Sequence, residues 1–230
     1  MSELKSINIY ADPIINPNCS EFEINGYTIS EFIIKELVPV IGIHPYPLNE
    51  LFLMVSSICR LKPTHIFEWG TNVGISARIF FEISQKFGIN SEIHSIDLPD
   101  SIEHAEHPHY NRGKFVKGIK GVKLYQGDGL AKSLEICANI DKDFNALFFI
   151  DGDHGYGTVK RELTAIIEAV PGANILLHDT FYQSSESGYY IGPYQAIVDT
   201  LTDMPDKYSV ISTNMCLPGM TLLYKLFELI

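Results

Sequence analysis

Five short, nearly unbroken apolar runs, each ending on a glycine or a polar residue, constrain this chain more than any other feature. They are HIFEWG (65–70), SEIHSID (91–97), VKLYQGD (122–128), ALFFID (146–151) and NILLHDT (174–180). A strand that is apolar on both faces must be covered on both, which parallel sheets achieve with crossover helices. The connections supply such helices: Ile75, Ile79, Ile83 and Phe87 recur at helical spacing after the first run, and Val159, Leu163, Ile166 and Val170 after the fourth. The pattern predicts a doubly wound α/β fold with a mainly parallel, seven-stranded sheet.

Upstream, Leu51, Met54, Val55 and Ile58 predict a helix capped by Asn49 and closed by Lys62-Pro63. Downstream, a helix is expected near 193–204, and YSVISTN and MTLLYKL around Leu217-Pro218-Gly219 predict a closing antiparallel hairpin over 208–226. Residues 1–47, a mixture of Pro, Asn and short apolar stretches, read as an N-terminal extension or cap, leaving 48–230 as the main domain. With 230 residues, 46% of them hydrophobic, the chain can bury one sizeable core.

An excess of 28 acids over 17 Lys plus Arg disfavours a nucleic-acid partner, whose phosphates such a surface would repel. Cysteines at 19, 59, 137 and 216 form no CxxC pair, so a reducing cytoplasm is expected rather than a zinc knuckle or a secreted disulfide scaffold. No apolar run approaches the roughly 18 residues of a membrane span, and the opening MSELKSINIYADP lacks a signal-peptide layout, so a soluble protein with no membrane partner is expected.

Ligands of open parallel sheets bind at the carboxyl ends of the strands. Glu68 and Gly70 end the first strand, Asp97 the second, Gly127 and Asp128 the third, Asp151 to His154 the fourth, and His178 with Asp179 the fifth. Any one of these acids could serve as a helix cap or a solvated loop residue. Five strand ends in succession point to a site.

The loop EWGTNVG (68–74) departs from a dinucleotide fingerprint, with Asn72 where the second glycine belongs and Gly74 one residue early. That disfavours the alternative of an NAD-dependent oxidoreductase. The loop still allows close approach of a small ligand, and the amides that follow suit a carboxylate. An acid such as Asp97 can accept both hydroxyls of a ribose, and Asp128 can face an adenine amino group. A pocket for adenosine without phosphates and with an amino-acid tail describes S-adenosylmethionine.

On the segments FEWGTNVG, HSIDLPD, QGDGL, FFIDGDHGYGTVKREL and ANILLHDT, the sequence resembles the S-adenosylmethionine-dependent methyltransferases of the Rossmann-like class, in particular the small-molecule O-methyltransferases with an IDG-x-H signature. The resemblance covers about 48–226. It implies cofactor contacts at Glu68, Gly70, Asp97 and Asp128, with Thr71, Gly74, Gly127 and Asp151 beside them. It also implies a divalent cation, Mg or Mn, on Asp151 and Asp179 in metal-using relatives, and His154 as the base. The family usually carries an acid where this chain has His178. His178 could be a third metal ligand or contact substrate.

Methyl transfer needs an acceptor hydroxyl held in line and relieved of its proton, a task suited to an imidazole, whose ordinary pKa is near ~6.5. Expected catalytic residues are therefore His154, Asp151 and Asp179, with His154, His178 and Tyr182 facing the acceptor. The tyrosine-rich stretch 181–194 suits a sugar or other polyol. Arg112, Lys114, Lys117, Lys120 and Lys123 suit an anionic glycoside, unless they form only a solvated face. His104, His107 and His109 allow a metal reading, although their spacing matches no known ligand pattern. A homo-oligomer is compatible with this reading, and a non-catalytic cofactor-binding module is the remaining rival.

Overall fold

The computed structural model describes residues 16–104, 108–140, 144–204 and 208–225. The chain opens with α1 (Gly26–Phe32), which passes through a π-helical turn (Ile33–Leu37) into the short α2 (Val38–Ile41). Then follow α3 (Leu48–Leu61), β1 (His65–Trp69), α4 (Ile75–Lys86), β2 (Glu92–Asp97), β3 (Val122–Gln126), α5 (Gly129–Ala138) and β4 (Ala146–Ile150). The fold closes with α6 (Tyr156–Ala169), β5 (Asn174–His178), α7 (Gly192–Asp203), β6 (Ser209–Ser212) and β7 (Met220–Tyr224).

The seven strands run in the order β3-β2-β1-β4-β5-β7-β6. Strands β1 to β5 pair in parallel and β7 pairs antiparallel with both β5 and β6, as the apolar runs and the Pro-Gly turn predict. The order reverses between β1 and β4, which opens a crevice at their carboxyl ends.

Strand alternation divides the core. On β4, Leu147 and Phe149 face α3 and α4, while Ala146, Phe148 and Ile150 face the layer of α5, α6 and α7. The first layer also receives Ile29, Phe32, Ile33, Leu37, Ile41 and Tyr46, so the segment 29–46 packs into the same core as the sheet.

The expected Asn49 cap is not formed. Helix α3 starts at Leu48, two residues earlier than an Asn49 cap would place it, with Pro47 at its N-cap position and no side-chain cap bond. Pro47 has an extended backbone, as an N-cap residue requires, so the turn begins there and Asn49 falls within the helix. Helix α5 does take a side-chain cap, the Asp128 carboxylate accepting from the Ala131 amide at 2.7 Å.

Phe148 and Phe149 lie side by side on the central strand, fully buried and facing opposite layers. Replacing either with alanine should lower the unfolding free energy by about 3–5 kcal/mol, the usual cost of deleting a buried aromatic ring. Urea denaturation checks this, and losses under about 1 kcal/mol would mean a loosely packed core.

Candidate active site

The strand ends form a polar cluster around one imidazole. His178, the last residue of β5, is 5% exposed. Its Nδ1 lies 2.9 Å from Asp151 Oδ1 and 3.5 Å from Asp179 Oδ2. Its Nε2 lies 3.0 Å from Oε2 of Glu50, an acid of α3 with no exposed surface. Burial alone would lower the His178 pKa, but the charge of Asp151 and hydrogen bonds to Asp151, Asp179 and Glu50 prevail and push it up to about 12. His178 is thus an internal cation, both ring nitrogens donating to carboxylates.

The remaining carboxylate oxygens are also engaged. The Tyr46 hydroxyl donates to Asp151 Oδ2 at 2.6 Å, the Gly219 amide to Glu50 Oε1 at 2.7 Å, and the Tyr189 hydroxyl to Asp179. Asp179 is pulled below the usual carboxylate range: burial opposes this, and the His178 hydrogen bond and charge, with the Tyr189 hydroxyl, outweigh it. On its outer side Asp179 Oδ2 lies 3.3 Å from Nδ1 of His154, whose ring stacks on Tyr190 with centroids 4.4 Å apart.

The glycine loop meets this cluster. Gly70 has φ +91°, and a Cβ there would lie 2.8 Å from the Asp151 carbonyl oxygen, so only glycine fits. Glu68 is 1% exposed. Its Oε1 accepts from Ser95 at 2.5 Å, Ser95 and Thr71 hydroxyls are 2.6 Å apart, and Glu68 Oε2 is buried without a partner. Burial pushes the Glu68 pKa up to about 8 against the Ser95 and Ser76 hydrogen bonds, with the charges of Asp151 and Asp97 adding to the rise. An orphaned, buried carboxylate oxygen beside a glycine cradle fits the ammonium of an amino-acid tail.

Asp97 accepts from the backbone amides of Asn72 and Leu98, at 3.0 and 2.8 Å, and from Arg112 Nε at 3.3 Å. Arg112 also bridges Asp100 at 2.6 Å, and Lys123 pairs with Glu92 at 2.6 Å. These two cations of the expected basic patch are therefore neutralised within the chain. Gly74 approaches Val116 and Gly113, so the segment after β2 closes over the glycine loop. Gly127, with φ +148°, turns β3 into the start of α5.

Three expected catalytic residues, His154, Asp151 and Asp179, come together with ligand atoms within 4.8 Å of one another. As a possible metal ligand His178 gives way to His154, because both its ring nitrogens face carboxylates. Tyr182 stacks on Tyr194 at 4.5 Å, and Tyr190 rather than Tyr182 covers the His154 ring. Of the three loop histidines, His107 lies outside the described residues, and neither His104 nor His109 belongs to a metal-competent group among those described. Sequence reasoning missed Glu50 and Tyr46, and it marked Tyr189 and Tyr190 only as members of the tyrosine-rich stretch 181–194. Glu50 had a signal: it stands four residues before Met54, on the apolar stripe of a helix.

A doubly wound sheet with an antiparallel closing hairpin, a glycine cradle after β1 and acids at successive strand ends defines a class I methyltransferase fold. The profile of the methyltransferase domain family matches residues 67–180, from the middle of β1 to the end of β5. The chain belongs to the S-adenosylmethionine-dependent methyltransferases.

No curated protein matches the sequence. Among solved structures, the O-methyltransferase from Bacillus cereus in complex with SAH superposes with a TM-score of 0.53 at 16% identity, over 86% of this chain and 91% of that one. The SAH-bound methyltransferase PaMTH1 of Podospora anserina gives 0.52 at 18%, over 76% and 77%. The TDP-rhamnose 3'-O-methyltransferase CalS11 of calicheamicin biosynthesis gives 0.52 at 15%, over 85% and 86%. At these identities the likeness is one of fold.

The internal cation links stability to pH. The folded pKa of His178 stands above its unfolded value, so its contribution is complete below ~6.5 and is lost as pH rises toward about 12. Glu68 and Glu162, both pushed up to about 8 by burial, add a slope of the same sign at lower pH. The thiols of Cys59 and Cys137, raised by burial to about 12 and about 11, add a further slope of the same sign near pH ~9. Between pH ~8 and ~9, urea denaturation should therefore show stability falling by about 1 kcal/mol more in the wild type than in His178→Gln, which retains the glutamate and thiol contributions. Equal slopes in the two proteins would mean that His178 is neutral.

Proposed function

We propose that this methyltransferase acts on a hydroxyl of a small polar or glycosidic acceptor, with His154 as general base. The supporting observation is the pairing of His154 with Asp179 beneath Tyr190, beside the strand ends where the cofactor belongs. With its Nδ1 proton directed at Asp179, His154 keeps the Nε2 lone pair for the acceptor hydroxyl. The hydroxyl oxygen attacks the sulfonium methyl carbon, the carbon–sulfur bond breaks with its electron pair going to sulfur, and the proton passes to Nε2. His178 holds Asp151 and Asp179 in place from behind. Glu68 receives the methionine ammonium, Gly70, Thr71 and Gly74 shape the loop around the tail, and Asp97 takes the ribose, with Gly127 and Asp128 toward the adenine. Residues 16–47 act as a cap for this site, since Tyr46 supplies one of its hydrogen bonds.

The acceptor lies against Tyr190 and the Tyr182–Tyr194 stack, flat aromatic faces suited to the C–H face of a sugar. A second reading adds a divalent cation on Asp151, His154 and Asp179, supported by the closeness of their ligand atoms. Such an ion would supply Lewis-acid polarisation of the acceptor hydroxyl. It would compete with the hydrogen bonds from Tyr46 and Tyr189 that now engage both carboxylates.

His154→Ala should lower kcat by about a hundredfold or more while calorimetric affinity for S-adenosylmethionine stays within about twofold. Production of S-adenosylhomocysteine with sugar or phenol acceptors is the readout. Unimpaired turnover in His154→Ala would remove the base assignment. Loss of wild-type turnover on EDTA treatment, restored by Mg or Mn, would establish the second reading; full activity after chelation would eliminate it.

A further inference from the structure

Toward the amino-terminal ends of β1 and β2, away from the strand ends described above, the sheet assembles a second group of metal-competent side chains. Residues two apart on a strand share a face, which puts Glu92 and His94 on one side of β2, and the parallel register sets His65 of β1 opposite Glu92. His65 Nδ1 and His94 Nε2 are 3.2 Å apart, and Glu92 Oε1 is 3.2 Å from the same His94 Nε2. All three ligand atoms lie within 4.8 Å of one another.

Tetrahedral zinc with bonds of about 2.0–2.1 Å sets its ligand atoms about 3.3 Å apart, close to both distances. Two imidazoles and a carboxylate are ordinary zinc ligands. The other nitrogen of His94, Nδ1, lies 3.3 Å from the Tyr125 hydroxyl, the kind of outer hydrogen bond that fixes the ring of a ligating histidine. The Phe67 ring, 4.7 Å from His94 and nearly parallel to it, fixes the ring from its face.

We propose that His65, Glu92 and His94 form a binding site for a divalent first-row metal ion, with zinc the expected occupant and water completing the shell. Without the ion, one proton bridges the two imidazoles. On binding, the cation takes its place, and that proton moves to the remote nitrogen of the same ring, so both rings stay neutral and no charge is lost. Lys123, whose ammonium sits 2.6 Å from Glu92 Oε1, is the competing cation, and its half-exposed side chain can turn to solvent. The ion would clamp β1 to β2 without touching the residues proposed for methyl transfer.

The test is Zn2+ titration by calorimetry on the full chain in a His154→Ala background, which removes a ligand from the strand-end group. One Zn2+ per chain is expected. His65→Ala and Glu92→Gln should each weaken it by about tenfold or more, and both residues are exposed enough for the variants to fold, as circular dichroism will report. Co2+ substitution should give the visible absorption of a four-coordinate ion, lost in His65→Ala. Absence of Zn2+ binding, or affinity unchanged in both variants, would overturn the proposal.

Discussion

The protonated imidazole of His178, held between Glu50, Asp151 and Asp179, is the interaction on which the rest of the site depends. It joins α3, β4 and β5, and through Glu50 and the Gly219 amide it reaches the turn before β7. Three acids gathered in so small a space would repel one another, and the buried cation between them offsets that repulsion. Removing one member of such a cluster leaves an uncompensated buried charge, which typically costs about 3–5 kcal/mol. The same cluster fixes Asp179 against His154, so the electrostatics of the interior set the orientation of the proposed base.

The other side of the crevice follows a complementary logic. Glu68 is held by Ser95 with one oxygen left over, and the glycine loop brings backbone close enough to Asp151 that no side chain fits at Gly70. A buried carboxyl pushed toward neutrality is restored to its charged form by a cation. The ammonium and sulfonium of S-adenosylmethionine both meet that requirement. The acidic cast of these strand ends suits the cofactor's charge, while His178 keeps the excess from becoming prohibitive.

Much of this was legible from residue order. The runs matched the strands within a residue or two at each end; for β1, β2, β4 and β5 that is because a strand buried on both faces has few alternatives, whereas β3, at the sheet edge, is largely exposed. FFIDGDHGY and LLHDT named the residues that β4 and β5 bring together. What was not legible depended on long-range packing. Tyr46 and Glu50 lie about a hundred residues before Asp151, and only the docking of the N-terminal segment and α3 against β4, β5 and β7 brings them to it. His178 read as a metal ligand because histidine at a strand end next to an acid is ambiguous until its second nitrogen is accounted for. Arg112 read as part of a basic surface because nothing local shows that its guanidinium turns back onto Asp97 and Asp100.

The claim that an internal imidazolium organises this site is tested most directly by nitrogen-15 NMR of the His178 side chain, assigned by comparison with His178→Gln. The account predicts that both ring nitrogens remain protonated at about pH 9, well above the titration range of an ordinary histidine. A neutral ring at that pH, with one nitrogen unprotonated, would contradict it.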